Sequence, residues 1–386
     1  MRRLTAAVMS LLLLCAPIAQ AIGAEKAGTK CQQLNSVSKV SGVKYVCLKS
    51  GTKLTWRKST TVVASNSSEK AKKELYKSVK LKAYTNIRAA GNGDGSSKVK
   101  LIYHIGESFP ADLKSLYVNQ FVYASKLYGT FFDKEELVNI YLYTEKEADL
   151  IKLDIPNLSF NYSDFEMWFN QWKAGVNREH NIGLASYYLL RNSPPQGHAG
   201  LAVFSGSSLS SIRPYGIQVA QHEYWHIVQD YYMQVGRGMK FDDSDSYDLL
   251  FPPTFREGST NTISFAMSSN TSADYLKLYE VFISDKKKGN ETPLFKTLTS
   301  KEKVVAALRS IEVRSKNPEA HEASYLLGQL LYEWVIAEYG FEGYRKLITN
   351  QLVGKSFEDN LRVSLGVTTD ELYKGAASHI LTAFAG

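Results

Sequence analysis

The sequence contains few cysteines, few prolines and no long apolar run after its first twenty residues. It has 3 cysteines, 10 prolines and 26 glycines in 386 residues, which excludes a collagen-like or low-complexity chain. Hydrophobic residues make up 44% and charged residues 22%, which excludes wholesale disorder and a polytopic membrane protein. No later stretch reaches about 18 uncharged apolar residues, so the mature chain is expected to lack a transmembrane span.

The first 21 residues have the pattern of a secretory signal peptide. Arg2 and Arg3 are followed by an apolar stretch from Leu4 to Ile18, and Ala19-Gln20-Ala21 has the small-x-small form of a cleavage site. The pattern predicts a signal peptide over 1–21 and a secreted, extracellular protein that can remain associated with the cell wall.

Two cysteines, Cys31 and Cys47, remain after the predicted signal peptide. In an oxidising compartment they are expected to form a disulfide, and closing a loop of this size stabilises by about 3 kcal/mol. The short β-type runs around them predict a disulfide-closed basic module over 22–58, followed by a Ser/Thr-rich linker over 59–70. The module resembles the short Cys-x15-Cys modules, ending in Trp, that follow the signal peptide in many secreted bacterial proteins.

Charge is divided unevenly along the chain. Residues 22–82 contain 14 basic and 3 acidic residues, whereas the remainder after the signal peptide contains 30 basic and 35 acidic residues. A basic exported segment indicates contact with an anionic cell-wall polymer, although a solvated linker explains it equally well. Because most of the chain is acidic, nucleic acid is not expected as a partner.

The hydrophobic periodicity changes along the chain from mixed to mainly helical. The predicted helices cover Glu69 to Arg88, Ala111 to Tyr128, Phe165 to Trp172 and Ile217 to Met233, and the predicted strands cover Lys98 to His104, Leu137 to Tyr143 and Gly200 to Ser205. This order predicts an α+β fold over 71–386, with a mixed α/β part over 71–210 and a mostly helical part over 211–386.

The segment His222-Glu223-Tyr224-Trp225-His226 has the pattern His-Glu-x-x-His on a predicted helix. Residues four apart lie on one helix face, so both imidazoles can bind one zinc ion. Glu223 lies about 100° around the helix from His222. That position suits a general base that acts on water better than it suits a metal ligand.

Zinc enzymes of this type need a third protein ligand. In the metzincin pattern a Gly-x-x-His extension supplies a third histidine ligand. Here Gln229 and Tyr232 stand where that glycine and histidine would be, which argues against the metzincin pattern. Glu257, within Phe255-Arg256-Glu257-Gly258 at the start of another predicted helix, is the main candidate. Asp245 and Asp248 remain alternatives, as does a purely structural role for Glu257 at a helix start.

His-Glu-x-x-His followed by Glu257-Gly258-x-x-Asn261 resembles the gluzincin zinc metallopeptidases of the peptidase MA-like superfamily. The resemblance implies a zincin-like fold, with a small sheet packed on the His-Glu-x-x-His helix, and zinc bound by His222, His226 and Glu257. In that group an acidic residue stands at the position of Asn261 and accepts a hydrogen bond from a ligand histidine. The spacer before Glu257 is longer here than is usual in the family.

Tyr325-Leu326-Leu327-Gly328 resembles the Tyr-x-x-Gly helix of the aminopeptidase-like branch, whose tyrosine stabilises the oxyanion. The resemblance makes Tyr325 the candidate for that role, and His321 lies one turn earlier on the same predicted face. Ordinary packing of Tyr325 among leucines is the alternative. The Gly-x-Met-Glu-Asn motif, by which the aminopeptidases of that branch recognise the free amine of a substrate, is missing, so the sequence does not support an aminopeptidase activity.

These patterns together predict a secreted zinc-dependent peptidase acting on a peptide or protein substrate, with Glu223 as general base. The strand from Gly200 to Ser205 is expected to be an edge strand that can pair with an extended substrate. The alternatives are an amidase or endopeptidase acting on peptidoglycan and a non-catalytic wall-associated binding protein with the same fold.

Overall fold

The structure is a computed structural model of the chain, and it divides into two units, residues 1–68 and residues 69–386. It describes residues 29–31, 37–40, 43–50, 53–58, 69–91, 98–132, 135–144, 147, 150, 182–189, 198–205, 218–237, 248–288, 292–350 and 356–384. The helix predicted from Phe165 to Trp172 lies outside these residues.

The first unit contains a three-stranded antiparallel sheet, β1 (Val37–Val40), β2 (Val43–Ser50) and β3 (Lys53–Lys58), in that spatial order. Cys47 on β2 pairs with Trp56 on β3, and its side chain forms a disulfide with Cys31. The segment before β1 adds to the sheet, because the Trp56 amide donates to the Thr29 carbonyl at 2.8 Å. The disulfide therefore joins this segment to the central strand.

The second unit begins with α1 (Glu69–Gly91), β4 (Val99–Ile105), α2 (Ala111–Tyr128), β5 (Glu136–Tyr143), β6 (Ile182–Leu189), β7 (His198–Ser205) and α3 (Val219–Arg237). It continues with α4 (Ser259–Ser268), α5 (Ser272–Lys288), α6 (Lys301–Ser310), α7 (Ala320–Ala323), α8 (Gln329–Thr349), α9 (Phe357–Leu365) and α10 (Thr369–Phe384). Two π-helical turns, Thr254–Gly258 and Ser324–Gly328, lead directly into α4 and α8. We call them the first and the second π turn.

The sheet of the second unit has the order β4-β5-β7-β6. β4, β5 and β7 are parallel, and β6 pairs antiparallel with β7. The expectation that the strand ending at Ser205 is an edge strand is therefore wrong: β7 is enclosed by β5 and β6, and among the described strands β6 is the edge. Both β6 and β7 contact α3, so the small sheet packs on the His-Glu-x-x-His helix as predicted.

The two middle residues of the motif fix the orientation of α3. Tyr224 and Trp225 are fully buried, and the Tyr128 ring lies 5.7 Å from Tyr224 and 4.5 Å from Trp225. The Trp225 indole donates to the Tyr344 hydroxyl on α8 at 2.7 Å. At about 25 cal/mol per Å², each of these two aromatic side chains contributes up to about 4–6 kcal/mol by burial. The helix is therefore held with its histidines on a different face from Tyr224.

Helix α8 is the centre of the helical half. Leu330, Leu331, Val335 and Ile336 are fully buried, and α8 contacts α1, α4, α9 and α10. The helix is kinked at Gly340, whose φ of 75° is a left-handed value that favours glycine. Because α8 also contacts α3, α8 connects the His-Glu-x-x-His helix with the carboxyl-terminal helices α9 and α10.

A buried ionic cluster joins four helices around Glu333 of α8. Lys80 of α1 lies 3.3 Å from both Glu333 carboxylate oxygens, His379 of α10 lies 2.8 Å from Oε2, and the Tyr275 hydroxyl of α5 donates to Oε1 at 2.7 Å. Burial lowers the pKa of Lys80 to about 8, and burial also lowers the pKa of His379. Burial acts to raise the pKa of Glu333, but the Lys80 charge and the bonds from its neighbours outweigh it, so that pKa is lowered.

The architecture is an α+β fold with a helical carboxyl-terminal half, which confirms the predicted class. Over the described ranges, no helix is both long and apolar enough to cross a membrane.

Candidate metal centre

The two histidines of the motif converge on one point beside α3. His222 and His226 are one turn apart and only 5% and 6% exposed. Their Nε2 atoms lie 3.1 Å apart, and their rings meet edge to face. This is the arrangement that the i, i+4 spacing predicts.

Glu257 reaches the same point from the first π turn. Its Oε2 lies 3.4 Å from His222 Nε2 and 3.3 Å from His226 Nε2, and the side chain is buried. Among the described residues, these three form the group whose ligand atoms can hold a metal ion. Asp248 is buried but is not a member of that group, and Asp245 lies outside the described residues.

The three donor atoms have the separations that a tetrahedral ion requires. Ligands about 2.0–2.1 Å from a tetrahedral zinc ion lie roughly 3.3–3.4 Å from one another. The measured separations are 3.1, 3.3 and 3.4 Å. The residues therefore fit a zinc-sized ion in geometry as well as in donor type.

The hydrogen bonds around the site also favour a cation there. Each histidine places its Nδ1 against an amide oxygen, Asn261 Oδ1 at 2.9 Å for His222 and Gln229 Oε1 at 2.8 Å for His226. These bonds hold a proton on Nδ1, which leaves the lone pair of each neutral Nε2 directed at the site. Glu257 Oε2 is buried and accepts no hydrogen bond from the described residues. Three electron-rich atoms thus face one another, an arrangement that a metal cation stabilises.

The sequence pattern gives Gln229 no role at the site, because it only shows that the metzincin glycine is missing at this position. In the structure it is fully buried one turn beyond His226. Its amide nitrogen donates to the Arg256 carbonyl at 3.1 Å, so it also fixes the first π turn against α3. The sequence feature that indicates this contact is the spacing: Gln229 follows His226 by three residues, so its side-chain amide can reach the imidazole on the same helix face. Asn261, by contrast, makes the histidine contact that its place in the motif predicts.

The electrostatics of the site keep a negative charge on Glu257. Burial acts to raise the pKa of this carboxyl, but the charge of His226 and the nearby Arg256 hold it well below its usual range. Arg256 Nε lies 3.5 Å from Glu257 Oε1. Burial acts to lower the pKa of His226, but Glu257 and then Glu223 outweigh it, and that pKa is raised. The neighbourhood therefore favours positive charge at His226.

Glu223 is half-buried on α3 and is not one of the three grouped ligands. Its negative charge contributes to the raised pKa of both His226 and Tyr325, which places it beside the site. This agrees with a position next to the metal ligands and outside the coordinating group.

Tyr325, on the second π turn, lies over the metal site. Its ring stacks on the His222 ring at 5.9 Å with an interplanar angle of 21°. Burial, followed by the charges of Glu257 and Glu223, raises the pKa of Tyr325 well above its usual value. The structure therefore brings Tyr325 to the ligands, and it packs only partly into the core.

His321 lies further out. It is exposed, and its ring meets the Tyr325 ring edge to face at 5.2 Å. Lys286 of α5 also approaches, with its Nζ 5.7 Å from the Tyr325 ring centroid. His321 thus contacts the tyrosine and is placed at the rim of the site.

Comparison with protein families, with curated proteins and with solved structures gives no significant match to this chain.

Proposed function

We propose that the protein is a secreted zinc-dependent peptidase of the gluzincin type. The observation that supports this most directly is the triangle of His222, His226 and Glu257 donor atoms, with both imidazoles held through Nδ1. A zinc ion bound there supplies a Lewis acid and lowers the pKa of water at the site towards about 7.

The remaining roles follow from the position of each side chain. Glu223 lies beside the ligands and accepts a proton from a water molecule at the site, then returns it to the leaving nitrogen. Tyr325 is protonated at neutral pH even at the ordinary pKa of a phenol, so its hydroxyl can donate to the oxygen on which negative charge develops. His321 is the second candidate for that donor role.

The substrate is proposed to be an extended peptide. β6 is the edge of the sheet and contacts α3, so its outer side offers backbone groups beside the metal helix. An extended chain can add to such an edge through main-chain hydrogen bonds. We therefore propose that β6 pairs with the substrate, the role that the sequence analysis predicted for the strand ending at Ser205.

The first unit is proposed to bind an anionic cell-wall polymer. Its described residues include seven basic residues and no acidic one, and the register places Lys39 directly opposite Lys44. Opposed like charges destabilise an antiparallel pair, and a bound polyanion removes that cost.

The polymer proposal is tested by retention of the full chain on immobilised inorganic polyphosphate at increasing salt. Lys39→Gln/Lys44→Gln should elute at lower salt than Lys49→Gln/Lys58→Gln, because only the first pair is directly opposed in the strand register and both variants change the charge equally. Equal elution of the two variants would contradict a binding face.

The hydrolase proposal is tested by Glu223→Gln and Glu257→Ala, with zinc content and casein cleavage measured for each. Glu223→Gln should keep the zinc and lose at least about 10²-fold in rate, because it lacks the base. Glu257→Ala should bind zinc more weakly, because it lacks a ligand. Full activity in Glu223→Gln, or zinc binding as tight as the parent in Glu257→Ala, would refute the assigned roles.

The choice of substrate decides between the proposal and its alternatives. Casein and purified peptidoglycan are incubated side by side with the zinc-loaded chain. Cleavage of peptidoglycan alone would identify a wall-directed amidase or endopeptidase. Zinc binding with no cleavage of either would leave a non-catalytic binding protein.

A further inference from the structure

The two π turns that carry site residues touch each other directly. The first contains Glu257 and ends at Gly258, and the second contains Tyr325 and ends at Gly328. π turns are rare in proteins and occur frequently at functional sites. Here two of them meet back to back, glycine against glycine.

Gly258 and Gly328 are required because there is no room for a Cβ atom at either position, and not because of their backbone conformation. Gly258 has φ −68° and ψ −43°, and Gly328 has φ −65° and ψ −41°, ordinary helical values for any residue. A Cβ on Gly258 would lie 2.3 Å from the Gly328 Cα, and a Cβ on Gly328 would lie 2.9 Å from the Gly258 Cα. The contact is backbone against backbone, so no side-chain rotation can relieve the overlap.

The residues after the first π turn stabilise it and connect it to the second. Ser259 and Thr262 donate to the carbonyls of Phe255 and Gly258, at 2.5 and 2.9 Å, four residues back. These bonds satisfy carbonyls where the regular helical pattern is interrupted. The Thr262 hydroxyl lies equally close, at 2.9 Å, to the Gln329 carbonyl oxygen, so its one proton is shared between the two carbonyls and gives a polar link across the crossing.

Asn261 links the crossing to the chemistry. Its Oδ1 lies 2.9 Å from His222 Nδ1, and its Nδ2 donates to the Tyr325 carbonyl at 3.3 Å. One side chain therefore fixes both a metal ligand and the backbone of the tyrosine that stacks on that ligand. The crossing and this bridge together determine the distance between Tyr325 and the donor atoms.

We infer that the Gly258–Gly328 contact is the device that positions Tyr325 over the metal ligands for hydrolysis, an inference that rests on the proposed function. Gly328 is a positioning residue, since it acts through Tyr325. An added Cβ would lie 2.4 Å from the Thr254 carbonyl oxygen, so the second π turn must move by roughly 1 Å to reach normal contact. A displacement of that size in a catalytic group can cost about 10²-fold in rate.

The test is a double-mutant cycle on the zinc-loaded full chain, with Gly328→Ala, Tyr325→Phe and the double variant. Each single variant should lower kcat by about 10²-fold, with KM little changed. The double variant should lose no more than either single variant, because Gly328→Ala acts by misplacing the hydroxyl that Tyr325→Phe removes. Zinc affinity should change far less than kcat.

Gly343→Ala is the control, since Gly343 lies on α8, away from the proposed site residues, and a Cβ added to it would lie 2.8 Å from the Tyr339 Cβ. It should lower stability and leave kcat unchanged. If Gly328→Ala does not fold, Thr262→Val takes its place in the cycle, because it removes the polar link across the same crossing without adding volume. It should also give a loss of kcat that disappears in the Tyr325→Phe background.

Losses that multiply in an active parent chain would overturn the positioning inference and leave the proposed function intact. So would a Gly328→Ala or Thr262→Val variant with unchanged kcat. A parent chain that binds no zinc or cleaves no substrate would overturn the proposed function and the inference with it.

Discussion

Replacement of Gln229 by Met should weaken zinc binding without removing any ligand. Gln229 is fully buried, and its Oε1 accepts the His226 Nδ1 proton at 2.8 Å. Met has a similar length but no strong acceptor, so the imidazole N–H would remain buried without a partner. That loss costs about 1–3 kcal/mol. Loss of a residue that orients a metal ligand lowers metal affinity by about 10–100-fold, which corresponds to about 1.4–2.7 kcal/mol. The two estimates agree.

The affinity is measured by competition with a chromophoric zinc chelator at pH 7.5. The matched control is Gln221→Met, because Gln221 is an equally buried glutamine on the same helix whose Nε2 donates to the Gln120 carbonyl at 2.7 Å. Urea unfolding of both metal-free variants measures the stability that each loses. Equal zinc affinity in Gln229→Met and Gln221→Met would refute the reasoning, since the Nδ1 contact would then have no role in binding.

Tyr325→Phe should keep the zinc and lower kcat by about 10²–10³-fold, because it removes one donor to the developing oxyanion; paired zinc and rate measurements check this. The contribution of the Glu333 cluster to the free energy of unfolding should fall as the pH drops below about 6.5, because the folded protein lowers the pKa of His379 and of Glu333, so the unfolded chain binds those protons first. Urea unfolding of the parent and of His379→Gln between pH 7.5 and 5 isolates this contribution, since the raised pKa of His226 acts in the opposite direction in both chains, and identical pH profiles would contradict the buried cluster. Mass spectrometry without reductant should find Cys31 bonded to Cys47, and two free thiols would refute it.

The first three helices of the second unit could be predicted from periodicity, whereas the later ones were predicted only as a mostly helical part. The apolar spacing predicted a helix from Ala111 to Tyr128, and α2 has those bounds. The prediction for the metal helix differs from α3 by a few residues at each end. Helix ends depend on local capping and fraying, which periodicity does not encode.

The strand order could not be read from the sequence. β6 was not recognised, although it forms the edge beside β7. An antiparallel edge strand and an enclosed parallel strand have similar composition over eight residues, and their difference arises only from which neighbours they pair with. The error about the strand ending at Ser205 follows from that limit.

The grouping of the three candidate ligands could be predicted in part. His222 and His226 share a face by the helix period alone, whereas Glu257 was indicated by the resemblance of its Glu-Gly motif to the gluzincins, and the structure brings all three together. The role of Gln229 could not be predicted. It depends on which ring nitrogen of His226 faces the site, a property of the folded helix and not of the residue order.

The candidate ligands come from two separate elements, α3 and the first π turn, and this separation affects the stability of the whole second unit. His226 and Glu257 are separated by thirty residues of sequence, so unfolding disperses the site and releases any bound ion. A zinc ion bound to the native state alone would add about 2.7 kcal/mol of stability at a free concentration one hundred times its Kd. For a domain of this size the melting temperature rises by roughly 5 °C. Thermal unfolding with and without a chelator therefore reports the metal affinity without any substrate, and loss of the metal would make the protein easier to degrade.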